Sequence, residues 1–458
     1  MRSRGNRPRT KERSLALILA LALALGVLPL RPPAAAADSE LAGSGTEADP
    51  YLIGNAEQLD QVRADLHAYY RLEADIDLSA SEFASGWTPI GLEYPYGFAM
   101  TSPFDGHFDG NGHAVSGLVV KNDDADYAGL FGVIGPGGEV KNLTLASVNV
   151  EIGGFMNSGV GALAGKLEGT VSNVHVAGGS VLGPTATGGL IGEADGGFVI
   201  NGSDASVSVG NSGFFGAYGG LVGQASGGSV SGSSAGGDVD AGISGNAGGL
   251  IGAAENVSIS GSYAEGSASS NGLGDTGGLV GKATNVTVSG SYSSGDVSSP
   301  GGNNVGGLIG NMDGGAVSDA YASGEASGTL DIGGLIGYAA SASVKNSYAS
   351  GRVSVSNPDW GGGLIGELSS GTVQSSYYDA QKAGLSDEGK GTPKTTADMG
   401  LESTFAGWDF DTVWSLDGRD GYPTLIRFDN KKPAVRSAAV AKEAPDHIRV
   451  ELYEKVNA

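Results

Sequence analysis

The sequence predicts an all-β fold, a right-handed parallel β-helix of about nine coils with small helix-containing caps. Three observations carry this prediction. A glycine-rich pentapeptide recurs at a nearly fixed interval, and a second set of residues recurs in register with it. In addition, the segment that contains this second set alternates apolar and polar residues with the period of a β-strand.

The pentapeptide Gly-Gly-Leu-Ile-Gly at 248–252 recurs along the chain as copies or near-copies. The copies begin at residues 128, 161, 188, 219, 248, 277, 306, 333 and 362. Each glycine would cost ~1 kcal/mol relative to alanine inside a helix, so we predict a short strand whose glycines permit positive φ and tight corners. Every copy places leucine third, so Leu250 and its counterparts are predicted to point inward. The next position varies and is predicted to lie outside or partly covered, as in Phe131, Ala164, Ile191 and Val222.

The second signal is an aliphatic residue that follows the opening glycine by eleven positions in the last seven copies. These aliphatic residues are Val199, Val230, Ile259, Val288, Val317, Val344 and Val373. A tyrosine follows four positions later in the last five copies, at Tyr263, Tyr292, Tyr321, Tyr348 and Tyr377. In 256–266 the apolar residues alternate with serines, which predicts one strand with Ile259 and Tyr263 both inward.

A weaker third strand follows the tyrosine, as in 351–357. Three short strands per ~29 residues are typical of one coil of a parallel solenoid, in which stacked coils bury a continuous column of Leu, Val and Tyr. The blades of a β-propeller usually need ~40 residues or more. The interval between the copies therefore favours the solenoid.

Composition excludes several classes of protein. The 458 residues include 82 Gly and no Cys, and the formal net charge is −24. Between 128 and 380 the basic side chains, histidine aside, are Lys141, Lys166, Lys282, Lys345 and Arg352. Nucleic-acid binding needs clustered Lys and Arg, so we expect no nucleic-acid partner. Without thiols, packing alone must stabilise the fold.

The first 37 residues are typical of an export signal. A basic head precedes an apolar run at 15–30, and small residues follow at 34–37. The run is short for a spanning helix and ends at cleavage-like sequence, so we predict removal rather than anchoring. No second hydrophobic span follows, and we expect a secreted or cell-surface protein whose mature chain has no transmembrane anchor.

The remaining domain boundaries follow from the repeats. We predict an N-terminal cap or lead-in at 38–127, repeats at 128–380 and a C-terminal cap at 381–430. Residues 431–458 are predicted to be a linker and the first strand of a truncated immunoglobulin-like module, because Ile448, Val450 and Leu452 alternate.

Both caps contain helix signals. Asn55 is a predicted N-cap with Gln58 at the capping-box position, and the apolar stripe consists of Leu59, Val62 and Leu66. Thr395 or Thr396 is predicted to start another helix before Met399. The aromatic residues Trp408, Trp414 and Tyr422 are predicted to close the C-terminal end of the solenoid, since open strand edges would polymerise.

The pattern GGL[IV]G followed by V-x-x-S-Y-A-x-G resembles the GLUG repeat of secreted and surface bacterial proteins. The resemblance covers 128–380, and flanking segments such as 49–62 and 407–414 resemble companions of such repeats. GLUG repeats occur in large extracellular proteins, including some immunoglobulin-degrading metallopeptidases in which the repeats are not the catalytic part. The resemblance therefore implies location and architecture more than chemistry.

Candidate metal ligands are few. His107 and His113, with Asp105 and Asp109, suggest a metal site, but two Asp-Gly turns of a lead-in hairpin explain them better. No histidine lies in HExxH. His175 occupies the slot that holds tyrosine in later coils and is predicted to be a stack position.

Calcium binding is predicted to be weak at most. Asn122, Asp124 and Asp126 alternate like calcium ligands, but Tyr127 stands where an EF-hand loop needs glycine. The pentapeptide also lacks the lysine of a phosphate-binding loop. We therefore predict no cofactor.

Glycoside hydrolysis needs two carboxylates roughly 5–10 Å apart. Stacked coils offer Asp238 with Glu265, or Glu265 with Asp296, but no acidic pair recurs in register. We therefore predict no catalytic, cofactor-binding or metal-binding residues, and no enzyme.

The predicted function is that of an exported bacterial surface protein, a non-enzymatic rigid solenoid that serves as an adhesin or as a spacer and display module. The alternative is a carbohydrate-active β-helix enzyme, a polysaccharide lyase or glycosidase. The predicted partners are extracellular glycans or host or cell-wall components. The variable turns at 266–276, 295–305 and 353–361 are the predicted contact surface, and Trp360 is the turn aromatic that suggests sugar stacking.

Overall fold

The computed structural model describes residues 40–91, 102–121, 126–153, 159–213, 215–387, 390–416 and 421–428. The predicted export signal at 1–37 and the predicted immunoglobulin-like strand at 448–452 lie outside these residues. All the elements that follow belong to the compact unit Leu41–Ala458.

The chain folds as a parallel β-solenoid, as the sequence predicts. One sheet joins 42 strands, and each strand pairs in parallel with the strand at the same position in the neighbouring coil. A typical coil has five strand positions instead of the three predicted, which we number in chain order. In the coil of Leu250 they are Asn246–Gly248, Ile251–Glu255, Ser258–Ser260, Tyr263–Ala264 and Ala268–Ser269.

In some coils adjacent positions are fused into one longer strand, which is assigned to the first position that it covers. Two such strands, Val297–Gly306 and Ala326–Gly333, run from position 5 of one coil into position 1 of the next. The strands at position 1 are Tyr127–Ala128, Gly159–Gly161, Ala186–Gly188, Ala217–Gly219, Asn246–Gly248, Thr276–Gly277 and Gly361–Gly362. Position 2 comprises Phe131–Ile134, Ala164–Leu167, Ile191–Ala194, Val222–Ser226, Ile251–Glu255, Val280–Ser289, Ile309–Ser318, Ile336–Ala340 and Ile365–Leu368. Position 3 comprises Glu139–Glu151, Thr170–Gly183, Val199–Asn201, Ser229–Ser231, Ser258–Ser260, Ala342–Lys345 and Gly371–Gln374. Position 4 comprises Asp204–Asn211, Ser234–Ala235, Tyr263–Ala264, Tyr292–Ser293, Tyr321–Ala322, Tyr348–Ala349 and Tyr377–Asp379, and position 5 comprises Val239–Asp240, Ala268–Ser269, Val297–Gly306, Ala326–Gly333 and Val353–Val355.

The glycine motif is a corner between two strands and not a strand. Gly248 ends position 1, Gly249 and Leu250 form a bend, and Ile251 begins position 2. Leu250 is fully buried, as predicted, and so are its counterparts in the other coils. Ile251 is also fully buried, because the bend interrupts the alternation and turns two successive side chains inward. The prediction that the residue after leucine lies outside is therefore wrong, and Phe131, Ala164, Ile191 and Val222 are all buried.

The motif glycines are needed for close backbone approach. A Cβ on Gly248 would lie 1.8 Å from the carbonyl oxygen of Ile251, and one on Gly252 would lie 2.3 Å from the nitrogen of Tyr218. Neither Gly248 nor Gly252 has positive φ, so this part of the prediction is wrong. Their role is to let position 1 of one coil and position 2 of another touch through their backbones.

Position 3 supplies the aliphatic column. Ile259 pairs with Val230 on one side and with Val288 on the other, and all three are buried. The sequence predicts Val199 in this column, but Val199 is exposed. Its neighbour Ile200 is buried in the column and pairs with Val230. The coil that contains Val199 has one extra residue before this strand, so a fixed count from the glycine misses the inward position.

The tyrosines lie on the outer surface, contrary to the prediction. Gly261 has φ 54, and this left-handed residue separates positions 3 and 4 and shifts the alternation. As a result Ser262 and Ala264 are buried, whereas Tyr263 is only partly buried. The same left-handed slot holds Asn142, Asn173, Gly202, Gly232, Gly261, Gly290, Asp319, Asn346 and Ser375.

A ladder of buried serines follows the left-handed slot. The hydroxyl of Ser262 donates to the carbonyl of Ser260 at 3.0 Å and accepts the backbone N–H of Ser233 at 3.2 Å. The N–H of Ser262 donates in turn to the hydroxyl of Ser291 at 3.1 Å. Each buried hydroxyl therefore joins two coils, which satisfies polar groups that would otherwise be costly to bury.

The lead-in consists of further parallel tiers. Its strands are Tyr51–Ile53, Tyr69–Leu72, Ile76–Asp77, His107–Asp109, Ala114–Ser116 and Val119–Val120. His107–Asp109 and Ala114–Ser116 both pair in parallel with Glu139–Glu151, so the predicted hairpin is wrong. These strands extend the column of coils towards the N-terminus.

Helix α1 (Ala56–Asp60) lies in the lead-in at the predicted place. The side chain of Asn55 accepts the N–H of Gln58 at 2.8 Å, and Gln58 Oε1 reaches back to the N–H of Gly54. Leu59 and Val62 are fully buried. The chain continues as a 3₁₀ turn at Gln61–Ala64, and further 3₁₀ turns lie at Leu78–Ala80, Glu82–Ser85, Pro358–Trp360, Glu402–Thr404 and Ile426–Phe428.

Two helices follow the last coil. Helix α2 (Ala380–Ala383) is capped by Asp379, and helix α3 (Thr396–Met399) is capped by Thr395, as predicted. The C-terminal end of the core is covered by the segment around α2, in which the ring of Tyr378 lies against Gly363 and Leu385 lies against Gly361. The remaining strands are Thr392–Lys394, which continues the parallel sheet, and the antiparallel pair Trp414–Ser415 and Thr424–Leu425.

Candidate functional site

The residues considered for a metal site bind different partners. His107 Nδ1 lies 2.9 Å from Glu139 Oε2, and its ring stacks on Tyr69 with 4.2 Å between centroids. His113 Nδ1 lies 3.1 Å from Asp75 Oδ1. Burial opposes ionisation of Glu139, but hydrogen bonds from His107 and Lys141 outweigh it and lower the pKa of that carboxyl.

The two aspartates beside these histidines accept hydrogen bonds from the next coil. Asp105 Oδ1 accepts the N–H of Gly137 at 3.1 Å, and Asp109 Oδ1 accepts the amide of Asn142 at 3.0 Å. Within the described residues, no group of three or more His, Cys, Asp or Glu side chains is placed to hold a metal ion. Of the calcium candidates, Asn122 and Asp124 lie outside the described residues, and the carbonyl of Asp126 accepts the N–H of Gly159.

His175 lies in the slot that holds tyrosine in later coils, as predicted. It pairs with Thr144 in one neighbouring coil and with Asp204 in the other. Its Nδ1 is hydrogen-bonded to Asp204 Oδ1, and its Nε2 lies 3.0 Å from Asn173 Oδ1. Both ring nitrogens therefore face neighbours in the stack, and neither contacts a serine or threonine hydroxyl that it would activate.

The acidic residues considered for glycoside hydrolysis also bind within the stack. Asp238 accepts both the N–H and the hydroxyl of Ser267, at 2.9 and 2.7 Å. Glu265 accepts the hydroxyl of Tyr292 at 3.1 Å, and Asp296 accepts the N–H of Glu325 at 2.9 Å. These carboxylates order the turns between coils.

A buried carboxylate that the sequence analysis did not single out lies at Asp275. Its Oδ1 accepts the amide of Asn304 at 2.7 Å and its Oδ2 accepts the amide of Asn311 at 3.2 Å. Burial raises the pKa of Asp275 despite these hydrogen bonds. The signal in the sequence is that this acid occupies a slot held by Asn246 and Asn304 in the adjacent coils.

The outer tyrosines form a continuous ladder. Successive rings of Tyr263, Tyr292 and Tyr321 are stacked with 4.9 Å between centroids and interplanar angles of 1°. Tyr348 continues the stack at 5.1 Å. Burial in this stack raises the pKa of Tyr292 well above its usual range.

The C-terminal segment covers this ladder on the side of the solenoid. Trp414 contacts Tyr321 and Tyr348, with 6.2 and 6.0 Å between centroids. Phe428 packs edge-on against Tyr263 and Tyr292, at 5.2 and 5.1 Å. The prediction that Trp408, Trp414 and Tyr422 close the end of the solenoid is therefore wrong. These residues pack along the ladder because it offers a broad aromatic surface.

Exposed apolar side chains concentrate in the loops that join position 5 to position 1. Trp360 is 43% exposed at the end of a 3₁₀ turn. Three others that the sequence analysis did not single out are more exposed: Phe215 at 71%, Ile243 at 63% and Leu273 at 80%. Aligning the coils on the start of position 1 would have found them, since each of the three lies two or three residues before that strand.

The comparisons with known proteins match the repeat. The family model described as the GLUG motif matches residues 328–354, a segment that passes once around a coil. A Gly-rich membrane protein of Evansella cellulosilytica is 40% identical over 146 residues, which is 31% of this chain and 16% of that protein. Halomucin of Haloquadratum walsbyi is 39% identical over 159 residues, which is 34% of this chain and 2% of that protein. The chain thus spans only a small part of the length of either relative.

Two solved structures resemble the chain more distantly. A crystal structure from Bacteroides ovatus, named as an immunoglobulin A1 protease, has a TM-score of 0.40 at 20% identity and covers 84% of this chain and 94% of that one. An IgA1 protease has a TM-score of 0.43 at 20% identity and covers 58% of this chain and 21% of that one. TM-scores this low carry no argument about activity.

The fold and the register define the class: the chain is a repeat protein built as a parallel β-solenoid. One coil of this repeat, residues 328–354, matches the GLUG motif that the sequence resembles. In the described part of the chain, no helix is long and apolar enough to cross a membrane.

Proposed function

We propose that the protein is an exported bacterial surface protein whose solenoid is a non-enzymatic adhesin or a rigid spacer and display module. The observation that carries the proposal is the engagement of the polar side chains. His175, Asp238, Glu265 and Asp296 all bind neighbours in the stack, which suits a scaffold better than a catalyst. Fold alone carries no chemistry.

Location at the cell surface rests on the sequence of residues 1–37, which is typical of an export signal. One relative is named as a membrane protein, which is in keeping with a surface location. The cap and repeat boundaries at 38–127, 128–380 and 381–430 remain part of this proposal. Glycans or host or cell-wall components are the proposed partners, and the turns at 266–276, 295–305 and 353–361 are the proposed contact surface.

The enzymatic alternative is tested by glycan turnover. We expect no release of reducing ends from a panel of acidic and neutral glycans incubated with the purified chain. Turnover that is abolished by Glu265→Gln or Asp296→Asn would show that the protein is a carbohydrate-active enzyme.

The adhesin and spacer roles are separated by displaying the chain on a non-adherent cell and measuring attachment to glycan-coated and host-cell surfaces. An adhesin raises attachment, and Trp360→Ala lowers it severalfold if Trp360 stacks on sugar. Leu401→Ala is the matched control, because Leu401 is exposed at 51% outside these turns. If the displaying cells attach no more than bare cells do, the adhesin role is contradicted and the spacer role is retained.

A further inference from the structure

Three successive loops place one strongly exposed apolar side chain each on the same edge of the solenoid. The loops are 212–216, 241–245 and 270–274, and the side chains are Phe215, Ile243 and Leu273. We call these three residues the apolar edge. Exposed apolar residues scattered singly are ordinary in soluble proteins, but a row of them on one edge marks an interaction surface.

The loops are held together by backbone contacts. The N–H of Asn246 donates to the carbonyl of Gly216 at 2.9 Å, and the N–H of Asn271 donates to the carbonyl of Gly242 at 2.6 Å. A Cβ on Gly272 would lie 1.5 Å from the carbonyl oxygen of Ile243, so these two loops are in direct backbone contact. The apolar edge is therefore ordered before any partner binds, which lowers the entropic cost of association.

The interior leaves no room for these side chains. Ala241, at the base of the second loop, is fully buried, and so is Tyr218 beneath it. The Tyr218 ring lies under Gly245, and its hydroxyl donates to the carbonyl of Pro184 at 2.9 Å. Because the core is already filled, the apolar side chains at the loop tips remain in solvent.

The loops of the apolar edge carry no charged side chain themselves, although the flanking carboxylate of Asp240 accepts the N–H of Gly242 at 3.0 Å. The three loops have the sequences SGFFG, AGISG and SNGLG, without Lys, Arg, Asp or Glu, in a chain of formal net charge −24. Depletion of charge and enrichment in aromatic and aliphatic side chains characterise the centre of a protein–protein interface. An uncharged edge on an acidic molecule complements another uncharged apolar surface.

We propose that the apolar edge is a lateral self-association surface whose partner is a second copy of this chain. The coils rise by ~4.8 Å each, so the apolar side chains recur with that period. A second copy presents the same period, and an isologous dimer sets the two rows against each other. The next coil places Gly301 and Gly302 beside Asn271 and Gly272, so the apolar edge is confined to three coils.

The test is sedimentation equilibrium of the full chain without any added ligand, at concentrations up to ~1 mM. We expect a monomer–dimer equilibrium that strengthens between ~0.05 and ~0.5 M salt, because salt screens the repulsion between two acidic molecules. The double variant Ile243→Ser/Leu273→Ser keeps the charge and is expected to weaken association at least tenfold. Leu401→Ser removes an exposed leucine elsewhere and is expected to change nothing.

A second measurement locates the contact. Because the chain has no cysteine, Ile243→Cys introduces a single thiol, and a short bis-maleimide is expected to yield covalent dimers of this variant but not of Leu401→Cys. A wild type that stays monomeric at all salt concentrations, or a double variant that dimerises as the wild type does, overturns the proposal. If the wild type is monomeric and the apolar edge instead binds an uncharged glycan, the partner is a polysaccharide and self-association is wrong. Neither experiment involves cells or enzymatic turnover. A negative result in either one therefore contradicts self-association without contradicting the proposed function.

Discussion

The serine ladder joins coils through single hydroxyl groups. It runs from Ser203 through Ser233 and Ser262 to Ser291, and it resumes from Ser347 to Ser376. Residue 320 is alanine, so between Ser291 and Ser347 one step has no hydroxyl. Alternation alone predicts these serines on the polar face of a strand, because their inward orientation depends on the left-handed residue before them.

This ladder predicts opposite effects for two substitutions. Ser262→Ala leaves the buried N–H of Ser233 without its acceptor and is expected to destabilise the fold by about 1–2 kcal/mol. Ala320→Ser supplies an acceptor for the N–H of Ser291 and is expected to stabilise it by up to ~1 kcal/mol. Urea unfolding midpoints measure both, and equal midpoints for the two variants would contradict the ladder.

The motif glycines make a second prediction for single residues. Gly248→Ala places a methyl group 1.8 Å from the carbonyl oxygen of Ile251, so we expect a loss of about 3 kcal/mol or more. Gly86→Ala is the matched control, since Gly86 has extended backbone at φ 163 and no atom within 4 Å of an added Cβ. A melting temperature for Gly248→Ala as high as that of the control would show that the close approach is not required.

Alternation predicted the inward residues only within unbroken strands. Val257 and Ile259 are inward as predicted, but Ile251 and Tyr263 are not where alternation places them. In the first case the bend at Gly249 and Leu250 resets the pattern, and in the second the left-handed Gly261 does so. Such residues are hard to recognise from one sequence, because glycine serves close approach in one place and positive φ in another.

Among the elements, the C-terminal segment is attached through one buried carboxylate, Asp379. Asp379 is fully buried, and it accepts the hydroxyls of Tyr422 at 2.6 Å and Thr396 at 2.7 Å. It also accepts the N–H groups of Gln381 and Lys382. Burial opposes its ionisation, but these hydrogen bonds outweigh that effect and lower the pKa of Asp379. The carboxylate thereby ties the segment that covers the tyrosine ladder to the last coil.

The sign of the pH dependence follows from this shift. Because the folded pKa lies below the unfolded value of ~3.9, the stabilisation by Asp379 is complete above that value and is lost as the pH falls through the folded pKa. Asp379→Asn is expected to cost about 2 kcal/mol at neutral pH and to flatten the acid-dependent loss of buried tryptophan fluorescence. An unchanged acid transition in the variant would contradict the assignment.

The helices and caps were easier to predict than the packing of the aromatic residues. Asn55 and Thr395 cap helices as their sequence context predicts, because capping depends on residues within three positions. The contacts of Trp414 with Tyr321 join residues far apart in sequence. Only the outward shift of the tyrosines, caused by Gly261 and its counterparts, creates the surface that Trp414 covers.

At the scale of the whole molecule, the coils share one continuous core. Leu250 is fully buried, and its carbonyl accepts hydrogen bonds from both Leu221 and Val222 in the preceding coil. The N–H groups of Leu250 and Ile251 both donate to the carbonyl of Leu279 in the next coil. A repeat protein of this kind derives its stability from contacts between neighbouring coils, so damage to one coil is expected to spread to others.

The most direct test of a continuous core is native-state hydrogen exchange on Leu250→Asp, with Ser258→Asp as the control in the same coil. Leu250→Asp puts a charge into the shared core, and we predict loss of protection in its own coil and in the coils on either side, around Leu221 and Leu279. Ser258 is exposed, and its variant is predicted to keep the wild-type pattern. Loss of protection confined to the coil of Leu250, or none at all, would contradict a continuous core built on the motif leucines.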